Sequence, residues 1–214
     1  MFYKFIAEVG FVEYYIFFSV ITGFICANYK KNIHNWLLIL LFTFFISEIA
    51  LIYANAFLVA VGWIYAPSTT IHNTVWLLIL GKTFNKGTKF LYIVWAYFVL
   101  CILDTLFWEG YTDFNTFSFL LGAALYISMF IKEYITKLNN EDFAFFQKNE
   151  SLLLFSPILF FMGVSIMFTF NDTTLSETKI IGDTSLYEIA VNFPNLISYS
   201  IINIYFFKEK QFKK

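Results

Sequence analysis

The sequence predicts an all-α integral membrane protein: a polytopic bundle of seven transmembrane helices with the N-terminus outside and the C-terminus in the cytoplasm. Three observations predict this fold: the composition, the spacing of the apolar runs and the distribution of the lysines. Of the 214 residues, 59% are hydrophobic and only 14% are charged. A soluble domain of this size cannot bury so much apolar surface.

Seven apolar runs supply the predicted spans. A spanning helix needs about 20 mainly apolar residues, with a range of about 17–25. The predicted spans are residues 5–28, 35–57, 69–83, 90–108, 114–131, 152–170 and 186–207. Together they form one transmembrane domain, residues 1–214, because no segment between them is long enough to fold independently.

The first span is expected to remain in the mature protein. Glu8 and Glu13 occupy the region where a signal peptide has basic residues, and no small-residue cleavage site follows the apolar run. Both features are atypical of a cleaved secretory signal.

The third span is the shortest and has the fewest apolar residues. Only residues 74–80 are strongly apolar, but Pro67 is a helix-start signal and Ser68 or Thr69 could cap the helix. The preceding segment, 57–66, is expected to continue the second helix or to lie at the outer membrane interface.

The 14 lysines, in a chain without arginine, decide both the number of spans and the orientation. Lys and Arg are retained on the cytoplasmic side during insertion. With seven spans, twelve lysines fall on one side and only Lys4 and Lys179 on the other; without the third span, three would be inside and eleven outside. The lysines therefore favour seven spans with the C-terminus inside.

The connections between the spans are short. The longest cytoplasmic one, 132–150, has mixed charges and three phenylalanines, which predicts a short interfacial helix. The longest outer loop, 171–184, is polar and acidic. We therefore expect any function to reside in the bundle or in a partner.

Polar side chains within the spans are the functional candidates, because each is costly in lipid and normally faces the bundle interior or water. At about 1.5 Å per residue, nearly all of them lie in the outer half of a hydrocarbon core about 30 Å thick. The predicted outward-facing pocket consists of Glu48, Asn55, His72, Asn73, Asp104, Glu188, Asn192 and Asn195. Glu188, like Glu13, lies close enough to the interface to be simply solvated.

The seventh span has a continuous polar face. Its members are four, three, four and four residues apart, the spacing of one side of a helix: Glu188, Asn192, Asn195, Tyr199 and Asn203. Pro194 interrupts this face and frees a backbone carbonyl, which predicts a hinge.

A second polar stripe, on the fourth span, leaves the role of the intramembrane carboxylates open. It comprises Tyr97, Cys101, Asp104 and Trp108. Glu48 and Asp104 could border a hydrated pocket, or they could be paired and simply hold helices together. The sequence does not favour either alternative.

Motifs for catalysis and for cofactor binding are absent from the sequence. The two histidines do not cluster, and the chain has no HExxH, paired CxxC, GxSxG or glycine-rich phosphate loop. We expect no enzyme activity, no metal site and no cofactor. A net charge of −1 gives no basic surface for nucleic acid. Residues 186–207 contain no lysine for a retinal Schiff base, which excludes a microbial rhodopsin.

Several local patterns resemble a known group of proteins. These patterns are an acidic residue in the second span (residues 46–48), Tyr126 with Glu133 around the end of the fifth, the apolar run 157–163 and the closing segment 195–208. They resemble small seven-helix membrane proteins from AT-rich bacterial genomes of the Bacteroidetes type, some encoded near sensor kinases. The resemblance implies a helical bundle and transfers no functional residue.

The preferred functional prediction is a signalling protein of the bacterial inner membrane: a sensor or accessory subunit. It would lie in the lipid bilayer, bind something small, cationic or apolar in the outer pocket, and contact a protein partner through the cytoplasmic face or tail. The first alternative is a small channel or transporter that uses Glu48 and Asp104. The second is a membrane effector or a structural subunit of a larger complex.

Overall fold

A computed structural model describes residues 10–57, 61–110, 115–170, 178–182 and 184–211. For residues 166–170, 181, 184, 187 and 188 it describes the backbone alone. The elements in chain order are α1 (Phe11–Cys26), α2 (Asn32–Phe57), α3 (Gly62–Thr83), α4 (Thr88–Phe107), α5 (Thr116–Asn139), α6 (Phe143–Phe146), α7 (Asn149–Phe170), β1 (Lys179–Ile181), β2 (Thr184–Ser185) and α8 (Leu186–Gln211). The all-α prediction is confirmed, apart from the small β1–β2 hairpin.

The start of α3 corrects the prediction for residues 57–66. The helix begins at Gly62, and Pro67 lies inside it instead of at its start. Ile64 packs with Leu51 and Ala54 of α2, so this first turn and a half has its own apolar contacts. A proline this close to a helix start removes few backbone hydrogen bonds, and packing maintains the helix on both sides of it.

Two helices extend further than their apolar runs. α5 continues to Asn139 instead of ending at residue 131, and α8 continues to Gln211. Tyr134 shows why α5 continues: it is buried and donates a hydrogen bond to the Ser151 carbonyl oxygen, at 2.7 Å. The apolar part of a sequence ends where the helix leaves an apolar environment. The helix itself continues for as long as its backbone hydrogen bonds form.

The 140–148 segment contains the short helix expected between the fifth and sixth spans. Asp142 caps α6 by accepting a hydrogen bond from the Phe145 backbone N–H. Lys137 donates to Asp142 Oδ2 at 2.7 Å, and this hydrogen bond holds the pKa of the Asp142 carboxyl below its ordinary value. The connection between α7 and α8 contains the unpredicted β1–β2 hairpin, which turns at Gly182 with φ +60°.

α3 is the central helix of the bundle. It packs against α2, α4, α5 and α7, and more than half of its residues are buried. α8 packs along α7 and α1, and α1 in turn packs on α2. A helix surrounded by other helices can be more polar than its neighbours, because its side chains face protein instead of lipid.

Four helical segments are long and apolar enough to cross a membrane: Asn32–Phe57, Thr88–Phe107, Thr116–Asn139 and Ile189–Gln211. Large apolar side chains cover their outer surface; on α4, Tyr92, Trp95 and Phe107 are 72%, 63% and 75% exposed. A surface of this kind requires lipid instead of water. The chain is therefore a helical membrane protein, as its composition predicted.

The two ends of the bundle differ in charge. The connections 27–31, 84–87 and 140–148 and the end of α8 gather most of the described lysines at one end, here called the lysine-rich end. Glu209 of α8 forms an ion pair there with Lys31 and accepts a hydrogen bond from Asn149 Nδ2 at 3.1 Å. A second ion pair joins Lys86 and Glu133 at 2.6 Å. The contacts of Glu209 tie α8 to α7 and to the α1–α2 connection, and the second pair ties the α3–α4 connection to α5.

Candidate functional site

A cavity of about 310 Å³ opens near the opposite end of the bundle. It lies where the start of α1, the second half of α2, the first half of α3, the second half of α7 and the start of α8 meet. The space between these segments is lined by polar as well as apolar side chains. Its volume is at the small end of the range for ligand pockets.

Five of the eight predicted pocket residues line this cavity, although they come from three separate helices: Glu48, His72, Asn73, Asn192 and Asn195. Further polar residues of the lining are Glu13, Ser47, Tyr65, Ser68 and Thr69. The expectation that Glu13 is merely solvated was wrong, because its Oε2 atom is buried in the lining. Its depth in the first span matched that of the other candidates and was the available signal.

Aromatic rings close the cavity toward the middle of the bundle. Phe44 contacts His72 edge-on, with ring centroids 4.6 Å apart, and His72 stacks on Phe160 at 4.9 Å. Phe44 also contacts Tyr199 at 5.8 Å, and Phe160 contacts Phe119 at 5.9 Å. These five rings come from five helices and form what we call the aromatic floor.

Three buried polar atoms around the cavity have no hydrogen-bond partner among the described residues: Glu13 Oε2, His72 Nε2 and Asn73 Oδ1. His72 is 6% exposed and Asn73 is 1% exposed. Leaving one buried polar atom unpaired costs about 1–3 kcal/mol. Three such atoms around one cavity indicate that water or a ligand in the cavity supplies their missing hydrogen bonds.

A hydrogen-bond network fixes the orientation of the Asn73 side chain. Tyr97 donates its hydroxyl proton to the Ser118 carbonyl oxygen at 3.0 Å, so it must accept from Asn73 Nδ2, which lies 2.9 Å away. The Asn73 amide nitrogen therefore faces the network, and Oδ1 is left without a partner. Gly122 makes room for this arrangement, since a Cβ atom there would lie 2.5 Å from the Tyr97 hydroxyl oxygen.

Asp104 is placed apart from the cavity, which corrects its assignment to the pocket. It is 1% exposed, does not line the cavity, and accepts a hydrogen bond from Ser118 Oγ at 2.5 Å. The predicted polar stripe on α4 faces α5 instead, because Tyr97 of this stripe donates a hydrogen bond to the Ser118 carbonyl oxygen of α5. Trp108, which belongs to the same predicted stripe, is exposed. Asp104 thus holds two helices together, while Glu48 borders open space.

We expect Asp104 to be a structural residue. Asp104→Leu leaves Ser118 without its acceptor and should lower the free energy of unfolding by about 1–3 kcal/mol. Asp104→Asn keeps an acceptor oxygen and should lose less. Both can be measured as unfolding midpoints in mixed micelles. If Asp104→Leu has the same unfolding midpoint as the wild-type protein, the Asp104–Ser118 hydrogen bond has no structural role.

Of the remaining predicted residues, Asn55 does not join the cavity. Asn55 is exposed in the last turn of α2, one helical turn beyond Leu51, where the lining ends. The side chain of Glu188 lies outside the described residues. The two cysteines, Cys26 and Cys101, are free and buried.

The polar face of α8 continues beyond the cavity. Tyr199 enters the aromatic floor, and Asn203 donates from Nδ2 to Ser19 Oγ of α1 at 2.9 Å. Pro194 lies within the helix, so the Ala190 carbonyl lacks its usual intrahelical donor. Gly163 of α7 lies directly against that carbonyl. A Cβ atom at this position would be 2.7 Å from the Ala190 oxygen.

This arrangement is suited to binding. Within the described residues, no group of three or more His, Cys, Asp or Glu side chains is placed to hold a metal ion. The cavity instead combines two carboxylates, hydrogen-bond acceptors and aromatic faces. These groups can hold a small organic molecule through charge, hydrogen bonds and ring contacts.

Comparison with known proteins gives no match to a family model, to a curated protein or to a solved structure.

Proposed function

We propose that this protein is a sensor or accessory subunit of the bacterial inner membrane. It binds a small molecule in the cavity from outside and passes the change through α8 to a protein partner at the lysine-rich end. The observation that carries this proposal is the set of three unpaired buried atoms around a polar cavity. Leaving these atoms unpaired costs free energy, and a ligand or water in the cavity that hydrogen-bonds to them removes that cost.

The proposal includes seven spans, with the lysine-rich end in the cytoplasm. α1 and residues 149–165 of α7 are shorter apolar helical stretches among the described residues. α3 is more polar because it is central. Its packing against α2, α4, α5 and α7 supports a seventh span, and the lysines gathered at one end support the proposed orientation.

α8 is the element best placed to couple the cavity to a partner. Asn192 and Asn195 line the cavity, and Glu209 of the same continuous helix engages Lys31 and Asn149 at the other end. Pro194 weakens the helix beside the cavity. A ligand that shifts the cavity end of α8 would therefore alter the contacts of its lysine-rich end.

The aromatic floor favours binding over transport. A channel or transporter that uses Glu48 needs a route from the cavity to the lysine-rich end. Below the floor, the described interior is filled by buried apolar side chains, among them Leu37, Leu41, Leu77 and Ile202. A hydrated path would have to displace this packing.

Complementation of a deletion strain, with transcript levels as the readout, tests the sensor role. Asn192→Leu and Pro194→Ala should fail to restore the wild-type transcript pattern while accumulating normally in the membrane. Leu196→Ala, which truncates a residue of the same helix outside the described cavity lining, is the control and should restore it. If the deletion itself changes no transcript, or if all three variants restore the pattern, the protein does not signal through α8.

A further inference from the structure

We propose that the ligand of the cavity is a small protonated primary amine; this inference rests on the proposed function of the cavity as a ligand site. The first support is charge. Glu13 and Glu48 line the cavity, and none of the described residues that line it is a lysine. An anion would be repelled by the two carboxylates. A purely apolar ligand would remove the carboxylates from water without giving them a hydrogen-bond donor or a positive charge.

The unpaired atoms indicate which kind of cation fits. A carboxylate oxygen and an amide oxygen only accept hydrogen bonds, and His72 Nε2 accepts when the ring carries its proton on Nδ1. Glu13 Oε2 and Asn73 Oδ1 therefore require a donor, and His72 Nε2 requires one in that tautomer. A primary ammonium has three N–H donors, whereas a quaternary ammonium has none.

The Asn73 network makes this requirement strict. Since Tyr97 gives its proton to Ser118, Asn73 cannot turn its amide around without losing a buried hydrogen bond. Its Oδ1 atom stays an acceptor beside the cavity. A hydroxyl or amine of the ligand can satisfy it, but a methyl group cannot.

The rest of the lining suits a short apolar body attached to the amine. Phe44, Phe160 and Phe119 present ring surface, and Val12, Leu51 and Val164 are aliphatic. Aromatic faces also attract a cation within about 6 Å. At about 310 Å³, the cavity has room for roughly ten water-sized volumes of about 30 Å³ each, so the ligand is a small molecule.

The experiment compares three probes that share a phenylethyl body and differ in the head group. They are 2-phenylethylamine, its N,N,N-trimethyl derivative, and 2-phenylethanol. Calorimetry on the full chain in lipid nanodiscs should show saturable binding of the amine. The trimethyl compound and the alcohol should each bind at least about tenfold more weakly, because one lacks N–H donors and the other lacks charge.

Glu48→Gln and Glu13→Gln should each weaken binding of the amine by about tenfold or more. Asp104→Asn is the matched control, since it neutralises a buried carboxyl that lies outside the cavity, and it should bind the amine like wild type. Equal binding of amine and alcohol, with no effect of Glu48→Gln, would overturn the amine assignment while leaving the cavity a ligand site. If none of the three probes binds, the amine assignment is wrong as well. Hydration of the cavity, measured separately by thiol labelling, then decides whether the proposed function also fails.

Discussion

Gly122→Ala should lower the free energy of unfolding by about 2–4 kcal/mol. The added Cβ atom would lie 2.5 Å from the Tyr97 hydroxyl oxygen, 2.8 Å from Asn73 Cγ, and closer still to Asn73 Nδ2. All of these atoms are buried and belong to the network that ends at Ser118. The Asn73 and Tyr97 side chains cannot move without leaving donors or acceptors unpaired.

The measurement is the unfolding midpoint in mixed micelles, followed by amine affinity for whatever fraction folds. Ala124→Ser is the control, because it also adds one heavy atom to α5, at an exposed position. It should change stability by less than about 0.5 kcal/mol. A Gly122→Ala protein as stable as the control would show that the Asn73–Tyr97 contact is loose.

Gly163→Ala should be the second most damaging change, at about 1–3 kcal/mol. Its Cβ atom would lie 2.7 Å from the Ala190 carbonyl oxygen and 3.1 Å from Pro194 Cγ. A backbone carbonyl cannot rotate away as a side chain can, so α8 must shift from α7. That shift moves Asn192 and Asn195, and we expect weaker ligand binding as well as lower stability.

Gly23→Ala provides the comparison within the same bundle. There the nearest atom to an added Cβ would be a methyl carbon of Leu38, at 3.0 Å, which a small rotation can relieve. Unfolding and binding are measured as for Gly122. Equal stability losses at Gly23 and Gly163 would indicate that the approach of α7 to the Ala190 carbonyl has no special role.

The helices were predictable from the sequence because lipid imposes a length and a polarity on each one. The same reasoning failed at the start of α3 and at the C-terminal end of α5. Pro67 looked like a helix start, but the packing of Ile64 on α2 extends the helix before it. Lys132 looked like an end, but the buried Tyr134 continues α5 beyond the apolar run.

The cavity was partly predictable for a related reason. The position of each residue along its span predicted that Glu48, His72 and Asn192 lie at the same depth in the membrane. A shared depth is enough to predict that they lie near one another. Depth alone could not give the rotation of each helix. Asp104 lies at a similar depth, yet it faces Ser118 of α5, and Glu13 turned inward although its position suggested solvation.

Thiol labelling of intact spheroplasts tests most directly the claim that a hydrated cavity opens on the side away from the lysines. Cysteine replaces Glu48 or Asn192 in the cavity, Asn203 in the buried contact with Ser19, or Lys86 at the lysine-rich end. The native cysteines are both buried, so the wild-type chain sets the background. A membrane-impermeant maleimide should label Glu48→Cys and Asn192→Cys in intact spheroplasts, Lys86→Cys only after lysis, and Asn203→Cys in neither case. Protection of both cavity positions before and after lysis, in protein that still folds, would contradict the cavity, and labelling of them only after lysis would reverse the orientation.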